Sequence, residues 1–468
     1  ARQCQDASRG CDTFAADRGM AMTEWRGVAA EIARELDRLE ADVVHVGLFD
    51  LAAMFRERRL RRQELLSTAD TAVFANVLPK WDSADQILAP GPYGSETIAY
   101  DPASIRPYPF EPRAAALVAD YTGPQADLMP RRVLARQVAR AQAAGHEAVA
   151  AFEFEFIVLE ETADTLRAKG FANLAPFAAD NRCWSGQTAA THAGFVADLE
   201  ALLRAADIDL YALGVELGPG CFEATLRHKP AMRAADDAAF FRMFTKAFCR
   251  RRDLTASFMP LLGAGYPGIG GHVSLSLRDK AGRNLFADRG DAHGLSALAK
   301  SFLAGIIELA PEAFPLCGHT VNAYRRLAPG SWAPKTVSWS PYNYAAALRV
   351  AAETEEMTRL ELRLPGSDVN VHLALALMLG AGLDGVERGL VLKDAPISGG
   401  GPNEIPAGAP RLPADLLEAT RRMRGSAAAK RIFGAAFIEH FAMLCEAEDA
   451  ALRRAVSAAE VQRYLELG

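Results

Sequence analysis

The chain of 468 residues is 50% hydrophobic and 24% charged, with a net charge of −6. That acidic balance argues against nucleic-acid and membrane-surface partners, and the length suits one large domain plus a small one. Cysteines stand at Cys4, Cys11, Cys183, Cys221, Cys249, Cys317 and Cys445 with no CxxC pair; neither a zinc knuckle nor a disulfide framework is indicated, and a reducing cytoplasm is the expected compartment.

Residues 1–19 lack the apolar core of a signal peptide, and a start at Met20 or Met22 is expected, with residues 1–22 a disordered extension outside the fold. Residues 23–40 carry apolar positions at helical spacing and predict one amphipathic helix. The stretch DVVHVGLFDLAAMFRERRL (42–60) predicts a strand pair. Its basic run, Arg56–Arg62, reads most simply as a solvated face, with anion attraction the alternative. Residues 88–112 are rich in Pro and Gly and predict a loop region closing a first domain over 23–120. PRRVLARQVARAQAAG (130–145) has proline near its start and glycine at its end, as a helix should. Strands and helices then alternate through 121–468, an α/β pattern. The apolar run 371–383 is too short to span a bilayer and predicts a buried helix, and 397–410 reads as an excursion between helices.

Four strands share an unusual polar face. In AFEFEFIVLE (151–160), Phe152, Phe154 and Phe156 lie on one side and Glu153 and Glu155 on the other. GHVSLSLRD places His272, Ser274 and Ser276 together, and TRLELRLPG does the same for Arg359, Glu361 and Arg363. In VELGPGCFEATLR a Gly-Pro-Gly turn joins Glu216 to Glu223, with Thr225 and Arg227 on the face of Glu223. Any half-exposed strand alternates. Here, however, the polar sides draw mainly on Glu, His and Arg. Five carboxylates and an imidazole converging on one cavity repel unless divalent cations bind them, and oxygen-rich sites suit Mg²⁺ or Mn²⁺. The arginines suit phosphate or carboxylate. Together this is equipment for phosphoryl transfer, without a Walker P-loop.

Read in order, EFEF (153–156), ELGPGCFE (216–223), GGHVSLSL (270–277), NAYRRLAPGSWAP (322–334), SWSPYNYAAALRV (338–350) and RLELRLPGSDVN (359–370) resemble the glutamine synthetase superfamily. The resemblance implies an α+β chain: a small N-terminal β-grasp-like domain, then a large glutamine-synthetase-type catalytic α/β barrel domain. It implies a double-ring homo-oligomer, commonly a dodecamer, with active sites between neighbouring subunits. It implies ATP and two or three Mg²⁺ (or Mn²⁺) ions. By the match of motifs, Glu155, Glu216 and Glu223 would hold one metal, and Glu153, His272 and Glu361 the second. Arg349 and Arg359 match nucleotide-phosphate contacts and Ser276 a nucleotide contact. Gly268, Arg326 and Arg363 match groups that hold the amino-acid substrate, with Arg326 and Arg349 also in the catalytic set. Asp82, in WDSAD (81–85), matches the acid that takes a proton from the amine.

The chain departs from the family pattern in places. The ammonia-site glutamate falls on Trp332, and an arginine near the reacting carboxylate falls on Tyr344. A second histidine is Ser274, a substrate-loop asparagine is Pro267, and 391–410 holds no tyrosine for adenylylation control. An indole in place of a carboxylate favours an organic amine over ammonium, through apolar or cation–π contact. The resemblance therefore points to the γ-glutamylamide synthetase branch: an ATP-dependent ligase joining glutamate to a primary amine through γ-glutamyl phosphate, with Trp332 and Tyr344 at the substrate site. Ammonia-using glutamine synthesis and a non-catalytic ring protein are the alternatives.

Overall fold

The computed structural model describes residues 22–327, 331–399 and 408–467, with side chains from residue 27 onward. The expected extension at the start, most of the 397–410 excursion and the centre of NAYRRLAPGSWAP lie outside the described residues.

The first part is a six-stranded sheet. Helix Met22–Arg38 precedes strand Val43–Phe49, which pairs antiparallel with Phe55–Arg61 and parallel with Ala114–Tyr121. Period-2 alternation sends Val44, Val46 and Leu48 into a small core with Ile32 and Leu36 of the helix, while Phe49 turns into the larger core. The basic run forms the edge strand, where Arg56 meets Asp50 and Asp85 and Arg59 meets Glu111. Lined with charge, such an edge resists further strand addition.

The loop expected over 88–112 is corrected in its middle. Ser95–Tyr100 is a strand, pairing with both Val73–Ala75 and Ala114–Tyr121. Ile98 and Tyr100 alternate into the small core. That two-residue apolar signal was outweighed by the prolines and glycines that bound it.

The second part is a nine-stranded sheet built around Glu147–Leu159. That strand lies between Gly271–Arg278 and Cys221–Leu226, both antiparallel to it. Beyond them run Arg359–Leu362, Leu348–Ala351 and Trp339–Pro341 on one side and Leu210–Val215 on the other. Phe152, Phe154 and Phe156 are fully buried, and Phe154 stacks on Phe241 of helix Ala231–Arg250 with ring centres 5.5 Å apart. Helix Val371–Glu387 is buried almost all round, as an all-apolar helix must be. A Cβ on its Gly385 would sit 2.2 Å from the carbonyl of Ser301, so glycine lets it lie backbone to backbone against helix Ala297–Leu309. No helix among the described residues is long and apolar enough to cross a membrane.

Buried ion pairs join the two parts. Fully buried Arg106 meets Asp237 at 2.6 Å. Arg131 meets Asp236 at 2.9 Å and also reaches Asp101 and Asp120. His372 Nε2 lies 3.0 Å from the same Asp236. Burial opposes the charge on Asp236, but Arg131 and His372 outweigh it and hold that carboxyl well below its usual range. Removing one partner of such a pair strands the other charge in a dry interior. Asp236→Ala is therefore expected to lower the unfolding free energy by about 3–5 kcal/mol, read from denaturant midpoints; a change under about 1 kcal/mol would show that Arg131 is satisfied without it.

Candidate active site

The polar face opposite the phenylalanines is set by strand register. His272 lies across from Glu153, Glu223 from Glu155, and Arg349 from Glu361. Ligand atoms of Glu153, His272 and Glu361 all lie within 4.8 Å of one another. His272 Nδ1 is 2.9 Å from Glu153 Oε1 and 3.8 Å from Glu361 Oε1, and Thr225 donates its hydroxyl to Glu153 at 3.1 Å. Burial alone would raise the Glu153 carboxyl, but the hydrogen bond and charge of His272, with the charge of Arg363, bring it down to about 2.

Beside this trio stand the other three carboxylates. Glu155 accepts the Gly270 N–H at 2.7 Å, yet burial keeps its pKa raised. Glu223 is pushed up to about 9, first by burial and then by the charges of Glu153, Glu155 and Glu216. Glu216 ends a strand at a Gly-Pro-Gly turn that only glycine can make: Gly218 and Gly220 have φ of +101° and +66°, and a Cβ on Gly220 would lie 2.4 Å from the Val158 carbonyl. The Glu216 carboxylate accepts from the Leu217 N–H at 2.8 Å, the Cys183 thiol at 3.2 Å and the Trp184 indole at 2.8 Å. Burial and Glu216 push the Cys183 thiol up to about 11, so it stays a donor. Oxygen ligands with one imidazole fit a hard or borderline divalent cation, whose charge would offset both the burial and the neighbouring carboxylates that raise Glu223.

The arginines gather around Glu361. Arg349 Nε lies 2.7 Å from Glu361 Oε2 and Arg363 Nη1 2.5 Å from Oε1. Both guanidiniums cover the Tyr344 ring, at 4.7 and 5.4 Å from its centre. Arg326 is buried, donates to the Leu364 carbonyl at 3.0 Å, and leaves its Nε without a partner; burial pushes it down to about 10. Gly268 runs close beside it, since a Cβ there would sit 3.0 Å from Arg326 Cγ. A cavity of about 350 Å³ opens next to the trio, lined by Ser276, Arg349 and Arg359, with Glu153 and Glu361 at its inner wall.

The expected site residues are thus brought together with two exceptions. Asp82 lines a separate small pocket with Trp81, His319 and Glu448, and its Oδ1 accepts the N–H groups of Ala84 and Gln86, each at 2.9 Å. Trp332 is half exposed, just after residues outside the description; Tyr344, also half exposed, stays with the site through Arg349 and Arg363. Sequence reasoning missed Arg278, which also lines the cavity, and the Asn181–Trp184 stretch. Nothing in NRCWSG beyond its small polar residues marks it as more than a loop.

Comparisons with known proteins bear on this arrangement. Residues 127–464 match the family model described as glutamine synthetase, catalytic domain. The chain is 30% identical over 444 residues to a glutamate–isopropylamine ligase from a Pseudomonas species, covering 92% of this chain and 96% of that protein. It is 31% identical over 431 residues to type-1 glutamine synthetase 2 of Dictyostelium discoideum, covering 89% and 82%. Among solved structures, the GmaS/ADP complex in conformation 1 superposes with a TM-score of 0.80 at 26% identity, across 93% of this chain and 99% of that one. The strand register that sets the carboxylates side by side is thereby placed in a known lineage, and the chain belongs to the glutamine synthetase family.

Proposed function

We propose that the protein is an ATP-dependent carbon–nitrogen ligase that joins the γ-carboxylate of glutamate to an organic primary amine through γ-glutamyl phosphate. Identity does not separate amine-using from ammonia-using relatives, at 30% and 31%. The span of the match leans to the former, at 96% of the isopropylamine ligase against 82% of the type-1 glutamine synthetase. The observation that carries the reading is Trp332, an indole where the family pattern places the ammonia-site glutamate.

Glu155, Glu216 and Glu223 would hold one divalent cation, and Glu153, His272 and Glu361 a second. Such ions, with ATP, supply charge stabilisation for a phosphoryl group in transfer. The chain's own residues do the rest. Arg349, Arg359 and Ser276 bind the nucleotide in the arginine-lined cavity. Gly268, Arg326 and Arg363 hold glutamate. Arg349 and Arg363 both pair with Glu361, and with a cation held at Glu361 these two guanidiniums would be free to bind phosphate and carboxylate. Asp82 takes the amine proton. That Asp82 lines a pocket other than this chain's arginine-lined cavity supports a site completed by the neighbouring subunit of a double ring, a dodecamer in the cytoplasm. Residues 23–120 would form the small domain that reaches across, and 121–468 the catalytic domain.

Phosphate release from ATP with Mg²⁺, glutamate and a panel of amines should respond to one alkyl, aryl or polyamine class at least about tenfold above ammonium. A response to ammonium alone would make the protein a glutamine synthetase. Glu361→Ala and Glu153→Ala should each cut metal-dependent turnover by about 10² or more, the scale of losing one charge-stabilising group; full activity in either would remove it from the site. Trp332→Glu should shift the ratio of kcat/KM values toward ammonium, and an unchanged amine profile would leave Trp332 a packing residue.

A further inference from the structure

We propose that Trp184, assisted by Cys183, is a positioning residue that fixes the Glu216 carboxylate for its cation. The inference rests on reading Glu216 as a metal ligand. A carboxylate has about four lone-pair positions. On Glu216 two are taken at Oε1, by the Leu217 N–H at 2.8 Å and the Cys183 thiol at 3.2 Å. A third is taken at Oε2, by the Trp184 indole N–H at 2.8 Å. One position remains open, on Oε2. The grip extends to the backbone. Asn181, buried, donates to the carbonyls of Glu216 at 2.7 Å and Gly218 at 2.8 Å. A stretch of four residues, 181–184, therefore holds both the main chain and the side chain of Glu216.

Trp184 is costly to place without such a role. The residue is 73% exposed and its backbone lies at φ +53°, a region large side chains avoid. Its one polar hydrogen nonetheless goes to the carboxylate. Outer partners of this kind orient a ligand, and their loss typically weakens metal binding 10- to 100-fold.

Mn²⁺ titration of the full-length protein without nucleotide, followed by paramagnetic resonance, tests this. Trp184→Phe keeps an aromatic ring and removes the N–H. One Mn²⁺ equivalent is expected to weaken about 10- to 100-fold, while the equivalent at Glu153, His272 and Glu361 is unchanged and reports intact folding. Cys183→Ser keeps a donor and should bind as the native protein does. Glu216→Ala should abolish the affected equivalent. If Trp184→Phe binds both ions natively while Glu216→Ala loses one, the positioning role is wrong and the ligand assignment stands. If Glu216→Ala also binds natively, the ligand assignment falls and takes the positioning role with it. If Trp184→Phe weakens both equivalents alike, Trp184 is a general structural prop and the proposal is overturned.

Discussion

Electrostatic repulsion among carboxylates on one face of one sheet is the constraint to which the rest of the structure answers. Strand alternation makes it unavoidable: burying Phe152, Phe154 and Phe156 commits Glu153 and Glu155 to the opposite face. Antiparallel register then brings Glu223 directly across from Glu155. Like charges placed opposite one another destabilise a sheet, and in an apolar surrounding the cost rises further. The protein meets part of it with His272, Arg349 and Arg363 around Glu153 and Glu361. Around Glu155 and Glu223 it supplies less, and burial together with the neighbouring carboxylates drives the second of these up to about 9.

That arrangement needs a stiff support. The Phe-rich face of the central strand packs on helix Ala231–Arg250, through Phe154 on Phe241. The same helix carries Asp236 and Asp237, which take the buried guanidiniums of Arg131 and Arg106. One helix thus backs the carboxylate face and anchors the smaller sheet. Any element carried by the smaller sheet, including the loop with Asp82, is held in a fixed relation to the large core within its own chain.

Legibility in the sequence followed the range of the interactions. The polar faces of four strands could be read because period-2 alternation is local, and EFEF, HVSLS and RLELR carry it in full. Helices 130–143 and 371–387 were marked by their own end signals and apolar runs. Strand 95–100 was hidden because it shows only Ile98 and Tyr100 as an apolar signal between turn-forming residues. The hold of Cys183 and Trp184 on Glu216 spans more than thirty positions and uses one thiol and one indole; no periodicity reports such a contact. The pairing of both Arg349 and Arg363 with Glu361 was hidden differently. Glu361 and Arg363 were legible on one strand face and Arg349 only through the family resemblance, and the sequence does not say which of these charges neutralise each other.

Tyr344 shows how such a neutralisation reshapes a departure from the family pattern. Read along the chain, it removes a positive charge where an acyl phosphate should form. In the folded protein its ring lies under two guanidiniums, and it separates neither from Glu361. An arginine at 344 would be a third cation beside them, repelled by both and competing for the same carboxylate. A tyrosine instead attracts each guanidinium through its π face, by about 0.5–2 kcal/mol per contact, and adds no charge. The Arg363 Nε also donates to the Tyr344 carbonyl at 3.1 Å, so backbone and ring of one residue fix the same guanidinium. Positive charge beside Glu361 is therefore carried by two oriented arginines, and orientation is what a bidentate grip on phosphate or carboxylate requires.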